Sequence, residues 1–165
     1  SNISSDPTQN VLEIGPWHGF LSDALYANGV NITASEVLDD AYIWQRQVKY
    51  PCHKLTYSES LKLKRWDIVI ATNVIHHMHS PFHFLEETMK HSNRLIISSV
   101  IFTDKIYIRD PEKWGPNLSA IVLPLNDHKS FIEQNGWTIT HCSINHTDFK
   151  ERQSWIIDAK KSGIS

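Results

Sequence analysis

The chain has little of what would assign it to a special class. It holds two cysteines, Cys52 and Cys142, far apart and in no CxxC unit. That excludes a disulfide framework and a thiolate metal site, and points to a reducing, cytoplasmic setting. No apolar run approaches the roughly eighteen residues a membrane span needs. The start, SNISSDPTQN, lacks the apolar core of a signal peptide. A soluble protein with no membrane partner is expected. Neither sign of charge dominates: 16 basic and 18 acidic residues leave a formal net charge of −2, which argues against nucleic acid as the partner. The basic cluster Lys62, Lys64 and Arg65 reads as a solvated edge. There is no internal repeat and no low-complexity tract.

What is present fits one globular domain over 1–165, with 41% hydrophobic residues to fill a core. The chain alternates between strands and helices. Residues 10–15 form an apolar strand that ends at Glu13-Ile14-Gly15, and 19–28 form a helix stopped by Gly29. Between them lies a turn, Gly15-Pro16-Trp17-His18-Gly19, of the kind that presents backbone N–H groups to a ligand. VNITASE is the second strand. The spacing of LDDAYIWQRQVKY predicts a helix capped by Asp39 or Asp40 and ended by Pro51. CHKLTY is a short third strand.

WDIVIATN, residues 66–73, predicts a central strand buried on both faces. A helix opened by Ser80-Pro81 follows, then a fifth strand in RLIISSVIF. After an irregular aromatic stretch, 103–125, come a helix of about ten residues ending at Gly136 and two strands, WTITHCSIN and QSWIIDAKK. Their alternation is that of exposed edge strands, paired antiparallel. The expected architecture is an α/β, doubly wound, mostly parallel seven-stranded sheet. In such sheets ligands sit at the carboxyl ends of the strands, near the switch in strand order. The glycine turn falls there, and so does Glu36, a carboxylate suited to accepting hydrogen bonds from ribose hydroxyls.

These segments, in this order, resemble the class I S-adenosylmethionine-dependent methyltransferases, whose fold is Rossmann-like, and among them the small-molecule, ubiquinone-biosynthesis-like branch. The resemblance rests on VLEIGPWHG, ITASEV, WDIVIATNVIHHM, LIISSV and the closing FIEQNGWTI and RQSWIIDAKK, and covers nearly the whole chain. It implies S-adenosyl-L-methionine as cofactor and a small-molecule oxygen, nitrogen or carbon nucleophile as methyl acceptor. Glu13, Gly15, Pro16, Trp17 and Gly19 would then form the turn beside the amino-acid end of the cofactor. Glu36 would meet the ribose and Val37 the adenine, with Ser58 and Glu59 in the zone of the adenine amino group. Asn73 would line the floor near the transferred methyl. Trp17 stands where the family usually has a glycine, which implies a reshaped turn.

His76 and His77, after the fourth strand, are the candidates for a general base, with a structural role as the alternative. Histidines 76, 77, 79 and 83 invite a metal reading, but no convergent set of ligands is expected. The start also implies a domain without the family's N-terminal cap helices, so that a partner chain or a preceding segment would complete the site. The 103–125 stretch, with Tyr107, Trp114 and Leu118, would act as its lid. The motifs of DNA amino-methylating, cap-ribose and cytosine-carbon methyltransferases are missing. A non-catalytic or partner-dependent binding domain, and a methyltransferase acting on nucleic acid or protein, stay open as alternatives. A nicotinamide enzyme fits poorly, because Gly15 to Phe20 does not match G-x-G-x-x-G.

Overall fold

The computed structural model describes residues 7–100, 103–108, 121–146 and 153–163. The first half of the chain runs β1 (Asn10–Ile14), α1 (Phe20–Ala27), β2 (Asn31–Ser35), β3 (Cys52–His53), α2 (Tyr57–Leu61), β4 (Trp66–Thr72), α3 (Pro81–His91) and β5 (Ser92–Ser99). A small antiparallel pair follows, β6 (Tyr107–Ile108) with β7 (Ile121–Val122). The chain then forms α4 (Leu125–Gln134), β8 (Trp137–His146) and β9 (Gln153–Lys161). The main sheet has seven strands in the order β3-β2-β1-β4-β5-β9-β8. Its β3 to β5 part is parallel, and β9 and β8 are antiparallel.

The chain winds outward from β1 to β3, returns to β4 on the other side of β1, and continues the opposite way. That reversal opens a crevice at the carboxyl ends of β1 and β4. The strands there are held rigidly because they are buried on both faces. Ile68 and Ile70 of β4 pack with Val11, Ile32, Ile43 and Tyr50 on one side of the sheet. Val69 and Ala71 pack with Leu12, Phe84, Leu85, Leu95 and Trp155 on the other. Each Val, Leu or Ile so buried contributes about 1.5–3 kcal/mol.

The helix expected over residues 38–50 is replaced by a single 3-10 turn, Tyr42–Gln45. Arg46 already has extended angles (φ −116°, ψ 150°), and Pro51 disfavours helical backbone in the residue before it. The segment spends its donors on the glycine turn instead. In the opposite sense, the strand expected over CHKLTY is only two residues long, and α2, which the sequence reading did not include, begins at its last residue, Tyr57. A capping box nucleates α2: Thr56 Oγ1 accepts from Glu59 N at 3.3 Å, and Glu59 Oε2 accepts from Thr56 N at 2.8 Å. Ser80 precedes α3 as expected, but its side chain makes no capping bond; Pro81 at the first helical position sets the start.

β9 corrects the reading of the last two strands as edges, because it lies between β5 and β8. Its alternation survives burial because its polar position is paired. Asp158, 1% exposed, accepts two hydrogen bonds from Arg94 of β5, Nε to Oδ1 at 2.9 Å and Nη2 to Oδ2 at 2.7 Å. Only β8 is an edge on this side. No helix among the described residues is long and apolar enough to cross a membrane.

Candidate active site

Among the described residues, two non-glycine residues have positive φ: Trp17 at +48° and Asn73 at +59°. They follow β1 and β4, and so flank the crevice. Left-handed backbone costs an L-residue about 1–2 kcal/mol, and such strain gathers at functional sites. Asn73 tolerates it through its short polar side chain, and its N–H donates to Ser98 O at 3.0 Å. Trp17 has no such excuse in its own chemistry, so its surroundings must impose the conformation.

Those surroundings are specific. Gly19 N donates to Pro16 O at 2.9 Å, which closes a tight turn with Trp17 at the first central position. Positive φ at that position normally calls for glycine. The Trp17 N–H donates to Glu36 Oε2 at 3.2 Å, and its carbonyl accepts from Ile43 N at 2.7 Å. Both sides of the residue are therefore fixed. Gly15 has φ +67°, its N–H donates to Ser35 O, and a Cβ there would stand 2.6 Å from Val74 Cγ2. The first glycine thus lets the end of β1 approach the end of β4.

Glu36, 4% exposed at the end of β2, accepts from Val37 N at 2.8 Å and Leu38 N at 3.0 Å through Oε1, besides the bond from Trp17. A carboxylate has about four acceptor directions. Three are occupied by backbone N–H groups, which leaves room on Oε2 for one further donor. Val37 and Leu38 beside it are exposed and apolar. Glu13, buried in β1, accepts from the Ser22 hydroxyl of α1. Loss of hydration pushes its carboxyl up to about 7, the Ser22 bonds oppose the rise, and the nearby charges of Asp23 and Glu36 add to it.

The structure brings Glu13, Gly15, Pro16, Trp17, Gly19, Glu36, Val37 and Asn73 to the ends of β1, β2 and β4. Ser58 and Glu59 stand in the first turn of α2, just beyond β3; the Glu59 carboxylate is engaged by Thr56 in the capping box. His76 and His77 lie on a 3-10 turn after β4 with ring centroids 4.2 Å apart. His76 is buried with Nδ1 3.0 Å from Ser99 Oγ, whereas His77 is exposed. No three His, Cys, Asp or Glu residues converge on a metal-sized site among the described residues. Trp114 and Leu118 of the expected lid lie outside the described residues, as does the side chain of Tyr107.

Sequence reasoning missed Ser22, Arg46, Tyr50 and Val74, because nothing in their local pattern ties them to the turn. It also missed His128, buried on α4 with Nδ1 2.9 Å from Pro124 O and its ring against Trp155. Burial holds this imidazole below its usual pKa, so Nδ1–H donates to the carbonyl.

No family model matches the chain. It is 31% identical over 107 residues to a ubiquinone biosynthesis O-methyltransferase of Rickettsia conorii, covering 59% of this chain and 37% of that one. A protein of the same name from Rickettsia bellii is 29% identical over 107 residues, with 59% and 45% covered. The matched region thus spans less than half the length of these relatives. Among solved structures, the magnesium protoporphyrin IX methyltransferase of Synechocystis with bound S-adenosylmethionine superposes with a TM-score of 0.71 at 18% identity, covering 93% of this chain and 70% of that one. The 1,6-didemethyltoxoflavin-N1-methyltransferase of Burkholderia thailandensis, bound to its substrate and S-adenosylhomocysteine, gives 0.72 at 13% identity, covering 93% and 71%. The chain thus shares the Rossmann-like fold of these S-adenosylmethionine-dependent methyltransferases.

Proposed function

We propose that the protein transfers a methyl group from S-adenosyl-L-methionine to an oxygen, nitrogen or carbon nucleophile of a small molecule. One observation carries this reading: the two strained residues, Trp17 and Asn73, follow the adjacent strands β1 and β4, and Glu36 is fixed beside Trp17. The residues fit the cofactor's chemistry. Glu36 keeps an acceptor direction for a ribose hydroxyl, and Val37 and Leu38 offer an apolar surface for adenine. The glycine turn opens α1, whose positive end suits a carboxylate. Glu13, buried and near neutrality, favours a cation close by.

When bound, the cofactor supplies an electrophilic methyl on a sulfonium, to be displaced in line. The protein's part is alignment: fixing donor and acceptor in reacting geometry contributes about 7–11 kcal/mol. Asn73, at the mouth of β4, lines the floor near the reacting groups. His77 is the exposed member of the histidine pair and is assigned the acceptor's proton, while His76 is committed to Ser99. Ser58 belongs to the adenine end, and Glu59 acts there through the capping box that holds α2. We read the described elements as one methyltransferase domain. The two free cysteines, Cys52 and Cys142, support a cytoplasmic setting.

A second reading, a binding domain without its own turnover, draws on Trp17, which holds left-handed backbone where the resembled family usually has glycine. Calorimetric titration tests the shared premise. S-adenosylmethionine and S-adenosylhomocysteine should bind at one per chain and nicotinamide dinucleotides should not. Binding of a nicotinamide dinucleotide alone would overturn the proposal. Methyl transfer to a panel of hydroxylated and aminated aromatics then separates enzyme from binding domain.

A further inference from the structure

The connector between β2 and β3, residues 36–51, bonds to the glycine turn at several points. Two successive carbonyls of the turn are received by it, Trp17 O by Ile43 N at 2.7 Å and His18 O by Arg46 Nη1 at 2.5 Å; the third, Gly19 O, accepts from Asp23 N of α1 at 2.9 Å and has the Tyr50 hydroxyl beside it at 3.3 Å. Asp23 of α1 ties the same two side chains together, pairing with Arg46 Nη2 and accepting from the Tyr50 hydroxyl at 3.0 Å. The Arg46 guanidinium also lies over the Phe20 ring, 5.5 Å from its centre. Burial and the bond to Asp23 hold the Tyr50 phenol protonated, so that it remains a donor. A Cβ on Gly19 would come within 2.9 Å of the Tyr50 hydroxyl, 3.0 Å of Ile43 Cδ1 and 3.3 Å of Arg46 Nη1. The connector is therefore packed directly against the turn.

A trans peptide points its N–H opposite to its C=O. Pulling the carbonyl of Trp17 toward the connector therefore aims the N–H of His18 the other way, while the Gly19 carbonyl is turned along α1 by its bond from Asp23 N, with the Tyr50 hydroxyl packed beside it. Without the connector, a turn carrying tryptophan instead of glycine would relax toward negative φ at residue 17 and rotate these peptides. We propose that Arg46 and Tyr50 are positioning residues that hold the strained turn in the orientation that receives the carboxylate of the cofactor's amino-acid end. This rests on the methyltransferase reading above and names how the chain manages without the usual glycine.

The test is calorimetric binding of two ligands that differ in that end alone: S-adenosylhomocysteine, which carries the amino-acid carboxylate, and 5′-methylthioadenosine, which lacks it. Arg46→Ala should weaken S-adenosylhomocysteine tenfold or more and methylthioadenosine less than twofold. Arg46→Lys, which can keep one of the two bonds, should fall between. Tyr50→Phe retains the ring and should show the same selectivity at about threefold; it provides the measurement if Arg46→Ala does not fold. Thr88→Ala, a buried change on α3 in the other core, controls for general loss of stability and should leave both affinities unchanged. Equal loss for both ligands, or no loss for either, overturns the proposal. Wild-type protein that binds neither ligand overturns the methyltransferase reading itself, and the clamp with it.

Discussion

Replacing Glu13 by Gln should stabilise the protein, and the gain should depend on pH. The Glu13 carboxyl is raised from its ordinary 4.5 to about 7 by burial. Below pH 4.5 the folded and unfolded chains both keep this proton. As pH rises through 4.5 the unfolded chain releases it while the native chain holds on, so stability falls until the native group ionises near 7. A displacement of that size is worth about 3 kcal/mol in full, and about 2–3 kcal/mol between pH 5 and pH 8. Glutamine retains an oxygen to accept from Ser22 but has no charge to desolvate. The difference in urea unfolding free energy between Glu13→Gln and wild type should therefore grow by that amount over the interval. Taking the difference cancels carboxylates with lowered values, such as Glu59 and Glu87, which act the opposite way in both proteins. A difference that is the same at both pH values would refute the buried-carboxyl argument. A cationic ligand beside Glu13 would favour ionisation, so S-adenosylmethionine affinity should rise from pH 6 to pH 8 in wild type and stay flat in the variant.

Three further outcomes are expected. Asp158→Ala removes the buried carboxylate that accepts two bonds from the Arg94 guanidinium between β5 and β9 and should cost about 3 kcal/mol in urea unfolding; a loss below about 1 kcal/mol would mean that the pair does little for the sheet. Gly15→Ala forces a methyl into Val74 at a positive φ, so it should lower the melting temperature and weaken cofactor binding together, and an unchanged melt would remove the close approach of β1 to β4. Trp17→Gly relieves about 1–2 kcal/mol of backbone strain and should melt no lower than wild type, whereas Trp17→Val, with its branched Cβ at the same φ, should melt lower; the reverse order would show that the turn is not strained.

The strands were legible because burial on both faces leaves continuous β-branched runs such as Ile68-Val69-Ile70, and because Gly15, Gly29 and Gly136 mark their boundaries. The switch in strand order followed from that alternation, and with it the location of the crevice. Segment 38–50 misled because its apolar spacing suits a helix, while the bonds that prevent one go to Trp17, His18 and Asp23, far away in sequence. The α2 helix had a readable signal, Thr56 with Glu59 three residues on, that the strand reading of CHKLTY obscured. QSWIIDAKK looked like an edge because Asp158 is polar, and its pairing with Arg94 on β5 helps to explain how that position is buried. Within the candidate site, Gly15 and Glu36 could be placed from their positions at strand ends, and Glu13 from the resemblance alone. The clamp could not, since Arg46 and Tyr50 meet the turn only through tertiary contact.

The central claim is that the ends of β1, β2 and β4 form one cofactor site. Amide-resolved NMR titration of the isotope-labelled chain with S-adenosylhomocysteine addresses it most directly. The N–H resonances of Gly15, Trp17, Gly19, Val37 and Asn73 should shift together and saturate at one ligand per chain, while those of α4 and β8 stay in place. Saturable shifts confined to α4 and β8, or no shift in the glycine turn at saturating ligand, would contradict the account.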